Sequence, residues 1–175
     1  DVVEVDNLLS YFERKAGMEV GSIFIDPGLE TAQSIRQSYE IATASSRIAH
    51  MGGSGGKGGD TSRSIGFQWT PEGLETLYLK SKVLIDVRSA GVPYPMSGGW
   101  FNIHDLEGLR ALAVQLRQLG YTGMHLIHPS HIPVVNEVFS PTPEDVTHWQ
   151  GLVKAMEEMR STGGAAITFG EDMVD

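Results

Sequence analysis

Apolar positions in this chain run in two rhythms, and the switches between them mark out its elements. Residues 2–16 place Val2, Val5, Leu8, Leu9 and Phe12 at helical spacing, which predicts an amphipathic helix. Ser22 to Asp26 is a short apolar run of β-formers ended by Pro27 and Gly28, and reads as a strand. Glu30 then opens a helix predicted over Thr31 to Ala44, and Arg47 to Met51 reads as a second strand. A turn is expected after Asp60. Thr70 is a good N-cap and Pro71 suits a first helical position, so a helix is predicted from there to about Ala90, stopped by Gly91. Pro93 and Pro95 forbid helix across Val92 to Ser97, which reads as extended. Asp105 starts a helix ending at Gly120, Met124 to Ile127 is a clear strand, and a short helix surrounds Pro133 to Val138. A last amphipathic helix is expected over residues 143–160, then a hinge at Ser161 to Gly164 and an extended Ala165 to Phe169. Strand, turn and helix thus repeat about four times, which favours parallel βαβ units over sandwiches or bundles. Such units fit a small open sheet or half of an eight-stranded barrel, and periodicity does not choose between them.

Position within these units singles out particular residues. Glu30 follows the first strand, Asp60 the second, the Tyr94 to Trp100 segment the third and His128-Pro129 the fourth. In open α/β sheets and in barrels alike, the carboxyl ends of the strands carry the site. Glu30 and Asp60, from neighbouring strand ends, suit one hard cation bound through oxygen, and equally suit the plain role of helix-start acids. Between them lies the glycine-rich stretch Gly52 to Gly59. It is no phosphate loop: Gly56-Lys57 is followed by Gly58 where Ser or Thr is required, and Met51 stands where the first glycine belongs. It lacks the dinucleotide fingerprint as well, and it reads either as a flexible surface loop or as backbone N–H groups cradling a carboxylate. His128 fits a structural strand-end residue, and no G-x-S-x-G elbow supports a serine triad. The tryptophans at 69, 100 and 149 are scattered: Trp149 suits packing, whereas Trp100 sits in a strand-end loop where it can line a pocket.

Composition narrows the chemistry. A net charge of −9 argues against nucleic acid as a partner. Without cysteine, disulfides, zinc thiolates and thiol nucleophiles are excluded. No apolar run approaches a membrane span and no signal peptide opens the chain, so no membrane partner is expected. The chain starts at Asp1 rather than Met and stops at Asp175, and is expected to be a piece of a longer protein.

Several runs together resemble one family. Leu29-Glu30-Thr31-Ala32 is similar to the "ETA" signature of citrate lyase β-subunit-like proteins, in the HpcH/HpaI aldolase superfamily with malyl-CoA and citramalyl-CoA lyases. Gly59-Asp60 and Arg63 to Gly66 resemble its "G-x-E-D" loop and "S-I-G", and Leu77 to Lys82 the helix after them. Gly120 to Ile132, then Asn136 to Pro141, resemble "G-F-x-G-K-x-x-I-H-P-S-Q-I … N-x-x-F-x-P", the most specific match. Gly170 to Asp175 is similar to "G-x-M-I-D". The likeness runs from about Ile23 to Asp175 and covers the second half of the family's pattern; the "D-L-E-D", "R-x-N" and "P-K" motifs have no counterpart here. Two departures stand out: Gly59 replaces the family's glutamate, and Gly91 to Trp100 replaces the usual "A-I-D" strand.

The resemblance implies an α/β fold, a (β/α)8 TIM barrel of the phosphoenolpyruvate/pyruvate type, with this chain as strands 5–8 in residues 1–160. Residues 161–175 would begin a C-terminal extension, a lid reaching a neighbouring subunit of a homotrimer or hexamer. It implies a Mg²⁺-dependent carbon–carbon lyase, Mn²⁺ also serving, that cleaves or condenses a 3-hydroxyacyl-CoA such as malyl-CoA or citramalyl-CoA, through a metal-bound 2-oxo acid and a thioester enolate. Glu30 and Asp60 match the metal ligands and Asp175 the acid/base delivered from the neighbouring subunit. Gly58, Gly59, Trp100, His128 and Pro129 fall at substrate-contacting places. The partners would be a 2-oxo acid and a coenzyme A thioester, in the cytoplasm or, in a eukaryote, the mitochondrial matrix. Another acceptor, as in 2-oxo-acid aldolases or malate synthases, and a non-catalytic barrel are the competing readings. Half a barrel exposes sheet edges, so residues 1–175 alone are not expected to be a stable monomer.

Overall fold

Each parallel strand of this chain is short and rich in glycine or proline, so the helices between them carry most of the fold. The structure is a computed structural model describing residues 1–53, 56–164, 166–170 and 172–174. It divides into two units, residues 1–139 and 140–175. In the first, α1 (Val2–Ala16) leads into β1 (Gly28–Leu29), then α2 (Ala32–Arg36) and α3 (Ser38–Ala42). Next come β2 (His50–Gly53), α4 (Asp60–Ile65), α5 (Leu74–Ser89), β3 (Tyr94–Gly98), α6 (Leu106–Leu119), β4 (Gly123–His125), a 3₁₀ turn (Pro129–His131) and α7 (Ile132–Phe139).

The four strands form one parallel sheet in the order β1-β2-β3-β4, with Leu29 opposite Gly53, Met51 opposite Pro95 and Ser97 opposite Met124. This is the sheet of repeated βαβ units that the rhythm predicts. The outer strands would lie roughly 14 Å apart if the sheet were flat. Yet His125 of β4 meets Asp26, just before β1, with Nε2 to Oδ2 at 2.8 Å. The sheet is therefore curled, with this pair on its concave side. The convex side is packed by helices in two clusters. Leu29, Met51, Val83 and Val87 centre one, and Leu109, Leu116, Tyr121 and Met124 the other. Helix α5 serves both, because Leu84 turns toward the second cluster while Val83 and Val87 face the first.

Several elements depart from expectation. Ser22 to Asp26 is not a paired strand: Ile25 makes one bridge to Ile48, and the ladder forms three residues later, at Gly28, beyond Pro27, which has no N–H to give. The second strand is shifted likewise, into Gly52 and Gly53. There a Cβ on Gly52 would stand 1.3 Å from the Met96 carbonyl oxygen, so only glycine permits the β2–β3 approach. Tyr94 to Gly98, read as merely extended, is a full member of the sheet. The helix expected over Thr31 to Ala44 breaks at Gln37, where the Ser38 hydroxyl donates to the Ile35 carbonyl and to Asp86, competing with the helical pattern. Instead of a turn, Asp60 begins helix α4. The helix expected from Pro71 begins at Leu74, after Gly73 in the left-handed region (φ 67°), and Glu75 takes both the Thr70 N–H and its hydroxyl. Helix α1 keeps its predicted bounds but not its apolar face. Val5, Leu8 and Phe12 are exposed, and Glu13 is buried instead.

In the second unit, α8 (Pro143–Ser161) is followed by β5 (Ile167–Phe169) and β6 (Asp172–Val174), which pair antiparallel. Thr142 and Asp145 form a reciprocal capping box that fixes the start of α8. Trp149, expected to pack, is exposed and lies edge-on to His148. Among the described residues no helix is long and apolar enough to cross a membrane.

Candidate metal and ligand site

The site builds from the carboxyl ends of β1 and β2. Glu30 is the first residue beyond β1, placed just before Thr31, which caps α2 through its hydroxyl. Its side chain is exposed and has no hydrogen bond or ion pair among the described residues. Asp60 opens α4 after the loop that follows β2. It pairs with Arg63 one turn on, both side chains being largely exposed. The two segments are tied together, since the Ala32 N–H of α2 donates to Ser64 Oγ of α4 at 3.0 Å. A pair in this exposed setting is worth about 1 kcal/mol or less, so Arg63 is a weak competitor for any cation at Asp60. The donor set suits magnesium, which takes one or two protein carboxylates and keeps water or substrate oxygens for its other positions. No group of three or more His, Asp or Glu side chains stands ready for a metal among the described residues, so a protein-only cage is not formed there.

The glycine stretch divides by role. Gly52 and Gly53 belong to β2, where the Met96 carbonyl and Val83 side chain crowd them. A Cβ on Gly56 would lie 2.3 Å from the Phe101 ring, so this glycine is required by packing as much as by any ligand. Gly58 has a left-handed φ of 69° and gives its carbonyl to Arg63 at 2.7 Å. Gly59 is the residue before α4, and its carbonyl accepts the Ser62 hydroxyl at 2.7 Å.

His128 is exposed and caps the 3₁₀ turn. The Ser130 N–H donates to its Nδ1 at 3.2 Å, which leaves the proton of the neutral ring on Nε2. Pro129 fixes the first residue of that turn. Trp100 is not isolated, as its scattering in sequence suggests: its ring meets Trp69 at 5.8 Å, edge to face, and a Cβ on Gly108 would strike it. The Asp175 position lies outside the described residues.

Sequence reasoning missed two charged groups of the interior. Arg47 is buried behind α1, with Nη1 and Nη2 on the two Glu13 oxygens at 2.8 and 2.6 Å and Nε on Asp6 at 2.6 Å. Lys80 is buried on α5 and donates to Gln115 Oε1 at 3.1 Å. The signal for Lys80 was present: Thr76, Lys80, Val83 and Val87 share one helical face, and all are buried.

The profile of the HpcH/HpaI aldolase/citrate lyase family matches residues 1–129. Citrate lyase subunit β of Leuconostoc mesenteroides subsp. cremoris is 30% identical over 172 residues, covering 98% of this chain and 56% of that protein. A citrate lyase structure from Burkholderia xenovorans LB400 superposes with a TM-score of 0.78 at 15% identity, over all of this chain and 55% of that one. The Mycobacterium tuberculosis protein CitE, solved with magnesium, acetoacetate and coenzyme A, gives 0.63 at 24% identity, over 87% of this chain and 55% of that one. This chain therefore spans little more than half the length of each of these relatives.

Proposed function

The chain belongs to the HpcH/HpaI aldolase/citrate lyase family, and from that premise we propose that it forms part of a Mg²⁺-dependent carbon–carbon lyase acting on a 3-hydroxyacyl-CoA. The observation that carries the reading is the pair of exposed carboxylates, Glu30 and Asp60, following adjacent parallel strands on segments joined by the Ala32–Ser64 hydrogen bond. On this reading residues 1–160 are the second half of a TIM barrel, and residues 161–175 start an extension toward a neighbouring subunit of a trimer or hexamer. The curl of the sheet and the exposed apolar positions Phe24, Val5, Leu8 and Phe12 support it, since the other half of a barrel needs such faces to cover. The enzyme would work in the cytoplasm, or in the mitochondrial matrix of a eukaryote.

Glu30 and Asp60 would hold the cation, which when bound stabilises negative charge growing on a substrate oxygen. Gly58 and Gly59 keep the adjoining wall free of side chains. His128, its tautomer set by Ser130, offers an Nε2 proton to a substrate oxygen. Pro129 sets the backbone of the turn that His128 caps, and Trp100 would supply an apolar wall. Asp175 would return or remove a proton at the carbon next to the thioester.

Titration of the intact protein with Mg²⁺ and oxaloacetate, glyoxylate or pyruvate tests this. Oxo-acid binding should require Mg²⁺ and weaken about tenfold or more in Glu30→Gln and in Asp60→Asn. Metal-independent binding, or binding unchanged in both variants, sinks the reading. Turnover of free hydroxy acids without coenzyme A would instead favour the aldolase alternative.

A further inference from the structure

A cavity of ≈ 770 Å³ opens between α5, α6, the loop joining α4 to α5 and the loops that follow β2 and β3. That volume suits a ligand of drug-like size, and its walls have the mixture such ligands need. Trp69, Trp100, Phe101 and Leu112 give apolar surface. Three groups in the lining carry unspent hydrogen-bonding capacity or charge. Lys80 is 7% exposed, and its ammonium makes one hydrogen bond, to Gln115, with no ion pair among the described residues. An ammonium has three donors, so two of them are unmet by the protein. Burial holds the Lys80 pKa below the usual lysine range, against the smaller pull of Glu75. The Trp100 Nε1 is buried without an acceptor. Lys57 lies over the Trp69 ring, 5.7 Å from its centroid, on the exposed rim. Against these two lysines the described lining has a single acid, Asp105, and its Oδ1 is committed to the Gly108 N–H at 2.9 Å.

We propose that this cavity binds a carboxylate carried on a flat apolar body, with the carboxylate on Lys80 and the body against Trp69 and Trp100. A buried ammonium with unmet donors is costly, and an anion that reaches it supplies both the charge and the acceptors. A monoanion fits best, because a dianion would leave one charge uncompensated in the buried end. The flat body follows from the aromatic walls, which meet edge to face at 5.8 Å and leave ring surface to the cavity. The inference does not rest on the cation ligands, since Glu30 and Asp60 are not among the residues of this lining; Trp100 is the residue it shares with the site proposed above.

The test compares two probes by calorimetry on the intact protein: 2-naphthoate and the neutral 2-naphthalenemethanol. The unmutated protein should bind the carboxylate about tenfold or more tightly than the alcohol, the discrimination expected of a charge-assisted bond. Lys80→Met should remove that advantage and leave the alcohol's affinity unchanged. Trp69→Leu should weaken both probes together. Glu30→Gln should leave 2-naphthoate binding intact even as it loses oxo-acid binding, so the two assignments fail separately. Equal affinity for the two probes overturns the proposal without any variant, and so does undiminished 2-naphthoate binding by a folded Lys80→Met.

Discussion

Arg47, Glu13 and Asp6 set the clearest pH dependence at the scale of single residues. The Arg47 guanidinium draws the Glu13 pKa down to about 2 from the ordinary 4.5; burial opposes this, and N–H groups of Gly21 and Ile23 add to it at 2.9 Å. Because the folded value is the lower one, the unfolded chain takes up a proton first as the solution is acidified. The stabilisation is thus complete above about pH 4.5 and is lost progressively toward pH 2. Acid titration of stability should show a steep fall across that window, and Glu13→Gln should flatten it while lowering the melting temperature at neutral pH. Asp6→Asn should cost less, since Asp6 is 30% exposed and gives Arg47 one bond where Glu13 gives two. An unchanged acid limb in Glu13→Gln would refute this assignment. The pair was hard to foresee because Glu13 looks like one more surface acid of an amphipathic helix, and only the chain's return at Arg47 turns it inward. The placement of Glu30 and Asp60, by contrast, was legible, because each follows a strand end, and the cation role proposed for them rests on that placement rather than on side-chain packing.

Among the elements, those with side-chain caps were readable and those made by glycine were not. Asp105 accepts the Gly108 N–H at the start of α6, and Thr142 and Asp145 cap α8 reciprocally, so both helices begin where their sequences say. Thr142→Ala should cost about 1 kcal/mol at that end. Amide exchange at Glu144, Asp145 and Val146 should accelerate while the middle of α8 is unaffected, and protection unchanged at these three would contradict the cap's role. The strands slipped because the β-forming runs around Ile25 and Ile48 supply one bridge only. Pairing then falls to Gly28, Gly52 and Gly53, residue types that strand propensity counts against. Their value lies in how closely two backbones approach, which is a property of the assembled sheet.

For the whole molecule, the order β1-β2-β3-β4 leaves an edge on each outer strand that is unpaired among the described residues. With the exposed apolar stripe of α1, those edges make self-association the expected state of residues 1–175 on their own. Sedimentation velocity over a concentration series should show species larger than a monomer, and a clean monomer throughout would count against the half-barrel reading. The repeating units were visible in the chain because each helix carries its own periodicity. The curl that brings the ends together was not, as no local pattern encodes it. The Asp26–His125 contact shows what that curl means for folding in time. Its partners are 99 positions apart, with two intervening strands to be laid down between them. Local helices can form early, but this bond must wait for the crossovers, because distant pairing bears the entropy of closing the chain before any contact rewards it. The pair is therefore expected to form late, and His125→Ala should quicken unfolding modestly and leave the folding rate nearly untouched, as stopped-flow kinetics would read.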